Sequence, residues 1–449
     1  MFKPAKIVVV GGNAAGPAAA AKAKRVNPGA KVIMFEAGEF ISTGTCEIPY
    51  VLSGDIQDYK ELITYTPNRF REEKNVEVYI NCEVIRINRQ KKSVTVYNNK
   101  EKKEFEENYD SLILAAGSIP KPVSDFPEFA VNLFTLKNIN DLIRINDFIK
   151  SKEINSVVII GAGYIGLEAA DAFHTTGKDV ILVERENLPL PYTEPEIQML
   201  ILQLLKKSNI LFCGSAEKLI PGIHNGIIHS ININGRIVEP DIVISAAGVV
   251  PNTLLARDAG LEISPIGGIK VDRKLRTSDP YIWVCGDSIG FLNEVTGQID
   301  YFPLATIAHD YAHIAGENAA GGNAIAFPVV KNIAVKILNR FQVSVGITSR
   351  EARVHGIPFK SVESTAFNLV KVMPGSEQIY GKIIYHAVNK NLLGGAFFGG
   401  REVSGYGDLI SAFIRNKIPG NVLGELNYNY TPPLSPFINL LSILGRKIK

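Results

Sequence analysis

The chain has 449 residues, of which 46% are hydrophobic and 21% are charged. This length favours two or three domains, and the composition is that of a globular protein and excludes disordered and collagen-like classes. The 48 Lys and Arg residues against 45 Asp and Glu residues leave a formal net charge of +3, far from the clustered basic charge typical of nucleic-acid binding, so no nucleic-acid partner is expected.

The N-terminal segment leads directly into an apolar strand, KIVVV, at residues 6–10. No long apolar stretch with a small-residue cleavage site precedes this strand, so a signal peptide is not predicted. No run reaches the ~18 apolar residues that a membrane-spanning helix needs. We therefore expect a cytoplasmic protein without a transmembrane segment.

A glycine-rich turn at Gly11, Gly12 and Gly16 follows the first strand and precedes an alanine-rich helix and a second strand that ends at Glu36. Glycine lets the backbone approach a pyrophosphate, to which the helix N-terminus offers N–H groups, and the acid can accept hydrogen bonds from ribose. Asn13 stands where the fingerprint has its middle glycine, so this turn alone is a weak sign of a dinucleotide site.

A second turn carries the complete G-x-G-x-x-G spacing at Gly161, Gly163 and Gly166, and Glu184 ends the following strand. A tight strand-to-helix corner would explain either turn alone, but two copies in the same context predict two dinucleotide-binding domains. Two dinucleotides in one chain are typical of electron transfer between a flavin and a nicotinamide. Glu184 favours NADH, whereas Arg185 suits the extra phosphate of NADPH, so the preference stays open.

The order of five motifs points to a family: GGNAAG, YDSLILAAGSIP (109–120), GAGYIGLEAA, DIVISAAGVVPN (241–252) and VCGDS (284–288). Over essentially the whole chain they resemble the FAD-dependent pyridine nucleotide-disulfide oxidoreductases. The expected fold class is α/β, with two Rossmann-like dinucleotide-binding domains and a C-terminal α+β dimerisation domain. The resemblance implies a homodimer with an FAD domain at 1–117 and 246–325, an NAD(P)H domain at 118–245 and a dimerisation domain at 326–449.

The resemblance also implies cofactor-binding residues by position. For FAD these are Gly11, Gly12, Ala14, Ala15, Gly16, Glu36, Ala37, Thr43, Val84, Ala115, Ala116, Gly117, Asp287, Leu304, Ala305 and Thr306. For NAD(P)H they are Gly161, Gly163, Tyr164, Ile165, Gly166, Glu168, Glu184, Arg185, Ala247 and Gly248.

Three of these positions have a more specific implied role. Asp287 would accept a hydrogen bond from the flavin ribityl chain. Tyr164 would lie over the flavin ring and move when the nicotinamide binds. Glu168 lies one helical turn further on and would face the same site.

Cys46 lies in STGTCEIPY, which resembles the S-F-x-x-C-G-L-P-Y element of the single-cysteine branch, including NADH peroxidase, NADH oxidase and coenzyme A-disulfide reductase. Thr43 replaces the family's aromatic residue, and Glu47 replaces its glycine. A lone thiol would cycle through a sulfenic acid or a mixed disulfide. Its loop-then-helix position predicts that Cys46 caps a helix N-terminus, where the helix dipole and the electron-poor flavin would lower its pKa, while the charge of Glu47 acts against this.

The other cysteines, Cys82, Cys213 and Cys285, lie in apolar strand-like runs and are expected to be small core residues. Their wide spacing contains no CxxC pair, so neither a disulfide framework nor a metal site is expected.

Ala14 occupies the position at which the family's peroxidases and water-forming oxidases carry a proton-donating histidine, whereas coenzyme A-disulfide reductases have alanine there. Disulfide reduction needs no donor at this place because the leaving thiolate is stable. Lys22 and Arg25 share a helix face and, with Ser42, match positions that bind coenzyme A in that family. On the residues alone, two such bases are as readily explained as solvated surface charge.

Near the C-terminus, NYNYTPPLSP (427–436) resembles the family's Y-A-P-P element, which would place Tyr430 in the partner subunit's active site as an acid or a thiol-orienting group. A packed turn tyrosine is the alternative. The family's second tyrosine is Met373 here, which counts against the usual mechanism. The apolar tail FINLLSILGRKIK is predicted to lie along the dimer interface rather than on a membrane surface.

Together these features predict an FAD-dependent NAD(P)H oxidoreductase that reduces a small disulfide through Cys46. Coenzyme A disulfide is the leading substrate, which makes coenzyme A a further ligand, and polysulfide or sulfur is a close variant. One alternative is an NAD(P)H oxidase that reduces O2 to H2O2 or water. An alternative of another class is a flavoprotein reductase that donates electrons to a carrier protein. The sequence leaves the physiological acceptor and the oxygen reactivity open.

Overall fold

The structure is a computed structural model that describes residues 4–127 and 129–449. Its helices are α1 (Ala15–Val26), α2 (Ile48–Leu52), α3 (Pro67–Lys74), α4 (Ile139–Ser151), α5 (Tyr164–Thr175), α6 (Pro195–Lys207), α7 (Leu254–Asp258), α8 (Ala305–Ala319), α9 (Ser349–Val354), α10 (Val403–Arg415) and α11 (Leu440–Lys447). Short 3₁₀ turns span Tyr59–Leu62, Gly286–Ser288 and Gly420–Gly424.

The first group of strands precedes α4 and comprises β1 (Lys6–Val10), β2 (Lys31–Phe35), β3 (Ile41–Thr43), β4 (Ile63–Tyr65), β5 (Glu77–Tyr79), β6 (Cys82–Asn88), β7 (Ser93–Asn98), β8 (Lys103–Asn108), β9 (Ser111–Leu114), β10 (Ser118–Pro120) and β11 (Leu133–Thr135).

The strands that follow α4 are β12 (Ser156–Ile160), β13 (Asp179–Val183), β14 (Leu211–Cys213), β15 (Leu219–His224), β16 (Ile227–Ile233), β17 (Arg236–Val238), β18 (Ile242–Ser245), β19 (Val249–Pro251), β20 (Ile282–Val284), β21 (Phe291–Leu292), β22 (Ile299–Asp300), β23 (Asn332–Ile337), β24 (Arg340–Gly346), β25 (Phe359–Phe367), β26 (Gln378–His386) and β27 (Leu392–Gly399).

Two parallel sheets form the nucleotide units, with strand orders β20-β9-β1-β2-β5 and β11-β18-β12-β13-β14. Their central strands β1 and β12 are buried apolar runs, as expected of parallel strands covered on both faces. A three-stranded antiparallel sheet accompanies each unit, β6-β7-β8 in the first and β15-β16-β17 in the second. The predicted fold class is therefore confirmed.

The two units repeat the same backbone hydrogen bonds at the end of their second strand. The Glu36 N–H donates to the Tyr79 carbonyl at 2.9 Å, and the Glu184 N–H donates to the Cys213 carbonyl at 2.9 Å. The acid that follows the second strand is thus held in the same way by the edge strand beside it, β5 in the first sheet and β14 in the second. The two units thus have the same order of four neighbouring strands, β9-β1-β2-β5 and β18-β12-β13-β14, and the same backbone hydrogen bond after the second strand.

The third unit is an antiparallel sheet with strand order β23-β24-β27-β26-β25. The three principal sheets lie within the residue ranges predicted for the three domains, and the domain boundaries themselves stay a prediction. Within the described residues, no helix is both long enough and apolar enough to cross a membrane.

The apolar C-terminal tail corrects an expectation from the sequence. Helix α11 buries Leu440, Leu441 and Leu444 in the core of the third unit, and it packs against β25 and β26 of its own chain. These side chains therefore line neither a dimer interface nor a membrane surface. An amphipathic tail shows that one face will be covered, but it does not show by what. Phe437 and Ile438, just before the helix, remain 77% and 49% exposed.

Helices α1 and α8 of the first unit cross at a backbone contact. A Cβ added to Gly316 of α8 would lie 2.3 Å from the carbonyl oxygen of Ala19 in α1. This contact packs the C-terminal half of α8 against α1, the helix that follows the first glycine-rich turn.

We expect Gly316→Ala to lower the free energy of unfolding by about 1–3 kcal/mol, because the added methyl forces α1 and α8 apart. Gly405→Ala is the matched control: Gly405 lies in α10, and a Cβ added there meets nothing within 4 Å. That change should stabilise the protein by about 0.5–1 kcal/mol through helix propensity. Urea unfolding of the FAD-loaded protein, followed by circular dichroism, measures both, and equal effects would contradict the backbone contact.

Candidate active site

The first nucleotide turn is shaped by backbone packing against backbone. Gly11 has a φ of +103°, and a Cβ there would lie 2.3 Å from the Ala115 carbonyl oxygen. A Cβ at Gly16 would lie 1.8 Å from the Gly11 carbonyl oxygen, so both positions require glycine. The N-cap Ala14 forms no side-chain cap, and no acid lies in the first turn of α1. The N–H groups of Ala14 and Ala15 are thus able to bind a pyrophosphate, whereas the Gly16 N–H donates to the Asn13 carbonyl at 2.9 Å and Pro17 has no N–H.

The Glu36 carboxylate is fixed at the end of β2 by two backbone donors. The N–H of Gly12 donates to its Oε2 at 2.6 Å, and the N–H of Gly38 donates to its Oε1 at 2.8 Å. Each oxygen keeps a second lone pair, which suits the two hydroxyls of a ribose. Beside it, the Ala37 carbonyl accepts a hydrogen bond from Asn99 Nδ2 at 3.4 Å.

Asn13, which breaks the glycine fingerprint, has a structural role that the sequence did not reveal. Its Oδ1 accepts hydrogen bonds from the backbone N and the Oγ1 of Thr43, both at 3.0 Å. The Ser42 N–H donates to the Gly12 carbonyl at 2.8 Å. The loop that leads to Cys46 is therefore tied to the first turn.

Ser42 adds an observation that points to a ligand. Its φ is +50°, a region that costs free energy for a residue with a side chain. Its Oγ is buried and has no hydrogen-bond partner within the described part of the chain. Since an unpaired buried hydroxyl costs about 1–3 kcal/mol, this strained serine fits a position that contacts a bound molecule.

Asp287 lies beside the first turn because of the glycine before it. Gly286 has a φ of +76°, and a Cβ there would lie 3.0 Å from the Cβ of Ala15 in α1. The Ser118 hydroxyl donates to Asp287 Oδ2 at 2.9 Å, and Lys137 Nζ donates to Ser118 Oγ at 2.8 Å. Sequence reasoning missed Ser118 and Lys137, because nothing local in the sequence links them to Asp287.

The remaining residues predicted to bind FAD lie in three places. Leu304 is the N-cap of α8, which starts at Ala305 without a side-chain cap, so its first N–H groups are also available. Gly117 follows β9 with a φ of +67° and open space where a Cβ would be. Val84 is buried and pairs with Val96 beside a register shift. Their contacts with FAD stay predictions.

The second turn repeats the geometry of the first. Gly161 has a φ of +104°, and a Cβ there would lie 2.4 Å from the Ala246 carbonyl oxygen. A Cβ at Gly166 would lie 1.8 Å from the Gly161 carbonyl oxygen. A Cβ at Gly163, the N-cap of α5, would meet nothing within 4 Å. This turn therefore faces open space that the protein itself does not fill.

The acid of the second unit is held as Glu36 is. Glu184 accepts hydrogen bonds from the N–H of Ala162 at 2.8 Å and of Glu186 at 3.1 Å. The Arg185 side chain is 73% exposed and lies 3.8 Å from the Glu186 carboxylate. The Glu184 carboxylate is therefore held in place by backbone donors, its contact with a ribose stays a prediction, and Arg185 points into solvent.

Tyr164 and Glu168 lie on the first turns of α5, and both are half-buried. Burial raises the pKa of Tyr164 above its ordinary value. Burial also raises the pKa of Glu168 to about 7, with Asp171 adding to the effect and Lys336 opposing it. The Glu168 carboxyl group therefore changes its charge near neutral pH.

The structure corrects two expectations for Cys46. The N-cap of the five-residue helix α2 is Glu47, so Cys46 lies one position outside the helix and does not cap it. Cys46 is an exposed residue, but its thiol is partly buried, and this burial is the main cause that raises the Cys46 pKa. The charges of Glu47 and Glu168 raise the pKa further, and Lys137 opposes the shift. The protein's own groups therefore do not produce the predicted lowering, and the contribution of the flavin stays a prediction. The pKa of Cys46 is sensitive to charges from both nucleotide units.

The predicted coenzyme A positions belong to a larger basic cluster. Lys22 Nζ lies 2.8 Å from the carboxylate of Glu317 in α8. Burial, together with the charges of His309, Arg25 and Lys22, lowers the pKa of His313 on α8. The sequence analysis predicted no role for His309 or His313. These histidines lie one helical turn apart on α8, and they meet the basic face of α1 only because α8 packs along α1.

The structure leaves the role predicted for Tyr430 untested. Tyr430 is 49% exposed and packs edge-to-face on Phe437, with ring centroids 5.4 Å apart. Met373 lies in the turn between β25 and β26, where its N–H donates to the Val370 carbonyl at 2.8 Å. Cys82 and Cys285 are buried and Cys213 is half-buried, and all four cysteines are free.

Comparison with known proteins agrees with this geometry. A family model described as pyridine nucleotide-disulphide oxidoreductase matches residues 5–312. The coenzyme A disulfide reductase of Staphylococcus aureus (strain bovine RF122 / ET3-1) is 30% identical over 445 residues, which cover 99% of this chain and 100% of that protein. The NADH oxidase of Methanocaldococcus jannaschii is 28% identical over 441 residues, covering 98% and 97%.

A solved structure is similar along the same length. The NAD-dependent persulfide reductase from A. fulgidus superposes with a TM-score of 0.92 at 28% identity, over 98% of this chain and 82% of that chain.

We expect Glu47→Gln to lower the pKa of Cys46 by removing a neighbouring negative charge. Below that pKa the thiolate fraction then rises, so alkylation by iodoacetamide near neutral pH should accelerate roughly two- to fivefold. Peptide-resolved mass spectrometry of the FAD-loaded protein measures the rate at Cys46. Glu104→Gln, the same charge change on β8, is the control and should leave the rate unchanged. An unchanged rate in Glu47→Gln would show that this carboxylate does not control the thiol.

Proposed function

This chain belongs to the pyridine nucleotide-disulphide oxidoreductase family, and we propose that it reduces coenzyme A disulfide, or a related small disulfide, through Cys46. It is an FAD-dependent NAD(P)H oxidoreductase. The observation that carries the proposal is the position of Cys46: its loop is tied to the first nucleotide turn by Ser42 and Thr43, and the following helix α2 packs on α5 of the second unit.

The residues of the first turn fit FAD. The free N–H groups of α1 suit its pyrophosphate, Glu36 suits its ribose, and Asp287 suits the ribityl hydroxyls. The corresponding groups of the second turn, α5 and Glu184, suit NAD(P)H. When bound, FAD accepts two electrons from NAD(P)H and makes them available to a neighbouring disulfide.

Cys46 performs the sulfur chemistry in this proposal. Its thiolate attacks one sulfur of the substrate disulfide, forming a mixed disulfide and releasing one thiolate, which takes up a proton. Two electrons then cleave the mixed disulfide, so the second thiol leaves and the Cys46 thiolate is restored. The overall reaction is RSSR + NAD(P)H + H⁺ → 2 RSH + NAD(P)⁺.

The basic cluster supports coenzyme A as the thiol. Lys22 and Arg25 place cationic groups on α1 beside the imidazoles of His309 and His313 on α8, which suits phosphate groups. Ser42 offers an unpaired hydroxyl near Cys46. A relative of nearly equal length is a coenzyme A disulfide reductase, and the similar A. fulgidus structure is a persulfide reductase, so a persulfide or polysulfide is a related substrate class.

One observation favours a second candidate, an NADH oxidase. Met373 stands where the family's reductases have a tyrosine, so one group of the usual disulfide mechanism is absent at this position. The Methanocaldococcus jannaschii relative is an NADH oxidase. Ala14 argues against water formation, because it supplies no proton to a leaving oxygen.

The homodimer and the cytoplasmic location belong to the same proposal. An exposed apolar segment of Tyr430, Leu434, Phe437 and Ile438, which are 49%, 68%, 77% and 49% exposed, is suited to burial against a second copy of the chain. The four free cysteines suit a reducing compartment. The residues 1–117 with 246–325, 118–245 and 326–449 would then be the FAD, NAD(P)H and dimerisation domains.

Cys46→Ser should lower kcat/KM for coenzyme A disulfide at least about 100-fold, because no other group can form the mixed disulfide. Anaerobic reduction of FAD by NADH should persist, since it does not use the thiol. The measurement is NADH oxidation with coenzyme A disulfide, compared with oxygen uptake in its absence. Cys213→Ser is the matched control and should retain full activity. Dominant oxygen uptake that is unaffected by Cys46→Ser would favour the oxidase instead.

We expect NADH to be preferred over NADPH, because the fixed charge of Glu184 repels a 2′-phosphate. Glu184→Gln should reduce the NADH to NADPH ratio of kcat/KM about tenfold. Steady-state kinetics with both nucleotides provide the ratio. Glu186→Gln makes the same charge change two residues away, on a side chain that faces solvent, and should alter the ratio little. Equal ratios in the two variants would exclude the ribose-facing role of Glu184.

A further inference from the structure

The third sheet has two faces, and a different part of the chain covers each of them. One face carries Ile379 and Phe397 and packs on α10 and α11 of the same unit. The other face carries Val335, Ala396 and Phe398, which share a buried core with the second nucleotide unit. The second unit is therefore packed directly on this sheet.

Polar side chains form part of a row across that second face. Ser344 on β24, Ala396 on β27 and Lys382 on β26 are direct cross-strand neighbours. Ser344 and Lys382 are 3% and 8% exposed, so both are buried where the second unit packs. The oxygen of Thr193, which precedes α6, lies 2.9 Å from the Ser344 hydroxyl. Because a buried polar group costs free energy unless it is paired, the second unit has to present its partners at fixed positions.

The strongest of these contacts is a group of three charges. Glu194 is the N-cap of α6 and is 1% exposed. Its carboxylate lies 2.7 Å from Lys382 Nζ, and it accepts hydrogen bonds from the Ser349 N–H at 2.6 Å and the Ser349 hydroxyl at 2.9 Å. Lys382 Nζ also donates to both carboxylate oxygens of Glu196, at 2.8 Å and 2.9 Å. The start of α6 is thus bound to β26 and to the start of α9.

A second ion pair crosses the same contact at another place. Lys336 Nζ on β23 lies 2.8 Å from the carboxylate of Asp171 in α5, which is 7% exposed. In the sheet, β24 and β27 lie between β23 and β26, so at ~4.8 Å per strand the two ion pairs are about 14 Å apart. Two attachment points at this distance oppose rotation of the second unit on the sheet.

The covalent connection between the two nucleotide units is narrow by comparison. The chain enters the second unit through β10 and leaves it through β19, and these two short strands form a sheet of their own. A two-stranded ribbon has little stability by itself. Helix α2, which contacts α4 and α5, has only five residues. The broad contact with the third sheet is therefore well suited to fix the angle between the two nucleotide units.

We propose that Lys382 is a positioning residue that binds Glu194 and Glu196 and so holds the second unit at the angle at which the nicotinamide of NAD(P)H meets FAD. This inference rests on the proposed binding of both cofactors. A buried ion pair adds little stability compared with apolar residues of the same size, but separating its charges is costly. Hydride transfer is sensitive to such a displacement, because a shift of ~1 Å can lower a rate about 100-fold.

Lys382→Met should lower the rate constant for anaerobic reduction of FAD by saturating NADH about tenfold, because Glu194 becomes an unpaired buried charge and the contact opens. Stopped-flow absorbance of the FAD-loaded protein measures this rate constant. The dissociation constant for NAD⁺, from isothermal titration calorimetry, should change less than about twofold, because the glycine turn and Glu184 lie within the second unit. Lys382→Arg keeps the positive charge and should lose less of the rate than Lys382→Met.

Hydrogen–deuterium exchange reports on the contact itself without turnover. In Lys382→Met the amide of Ser349, which donates to Glu194, should exchange at least about tenfold faster than in the unmodified protein. The amides of β12, at the centre of the second sheet, should keep their protection, which means that the second unit moves as a folded body. Peptide-resolved mass spectrometry of the FAD-loaded protein measures both segments. Unchanged exchange at Ser349 would contradict the proposal.

Lys331→Met is the matched control. Lys331 is 8% exposed, as Lys382 is, and its Nζ lies 2.8 Å from the carboxylate of Glu351 in the same unit. Its loss should weaken the third unit without releasing the second, so the rate constant for FAD reduction should change less than about twofold. Equal losses of rate in the two Lys→Met variants would overturn the proposal.

The double variant Lys382→Met/Glu194→Gln separates position from stability, and it serves where Lys382→Met folds poorly. It leaves no unpaired charge at Glu194, so the free energy of unfolding should recover, while the rate constant should stay low because no charged pair fixes the contact. A rate that recovers together with the stability would overturn the positioning role. If NADH fails to reduce FAD in the unmodified protein, the proposed function itself is wrong. If reduction occurs and Lys382→Met leaves its rate unchanged, the positioning role alone is wrong.

Discussion

The active site depends on one packing constraint, the contact between a strand-to-helix turn and the backbone of the neighbouring strand. At Gly11 and Gly161 a Cβ would lie 2.3 Å and 2.4 Å from the carbonyl oxygens of Ala115 and Ala246, so no side chain fits. Each helix therefore starts directly above the end of its strand with free N–H groups facing outward. The loop that bears Cys46 is bonded to the first of these turns, so the position of the thiol follows from the same contact.

The two glycine-rich turns have the same backbone geometry, but they differ in the residues next to the turn. In the first, Asn13 occupies the middle position and binds Thr43, so the space is bordered by the cysteine loop. In the second, Gly163 leaves that space open, and Tyr164 beside it packs against a buried apolar cluster. The residue that weakens the first glycine fingerprint thus helps to place the sulfur. The duplicated backbone is therefore bordered by the cysteine loop at the first turn and leaves an open space at the second.

The sequence predicted those features that depend on neighbours along the chain. Apolar strands, glycine spacing and the acid after each second strand are local, and they were sufficient for the fold class. Features that need distant segments were missed or wrong: Lys137 joins Asp287 through Ser118, and His313 meets the basic face of α1 only across a helix pair. The pKa of Cys46 is raised by the protein's own groups because burial of the thiol and the charge of the adjacent Glu47 outweigh the short helix that follows it.

The raised pKa of Cys46 bears on which sulfur chemistry the loop favours. A thiol of higher pKa is less ionised, but its thiolate is intrinsically more nucleophilic toward disulfide sulfur, so thiol–disulfide exchange near neutral pH is retained. Oxidation to a sulfenic acid also proceeds through the thiolate, so the carboxylates of Glu47 and Glu168 slow both reactions of the resting thiol. What separates the two reactions is the proton that a leaving oxygen needs and a leaving thiolate does not. Ala14 supplies no such proton, so the first turn, rather than the pKa of Cys46, is the feature that favours a disulfide.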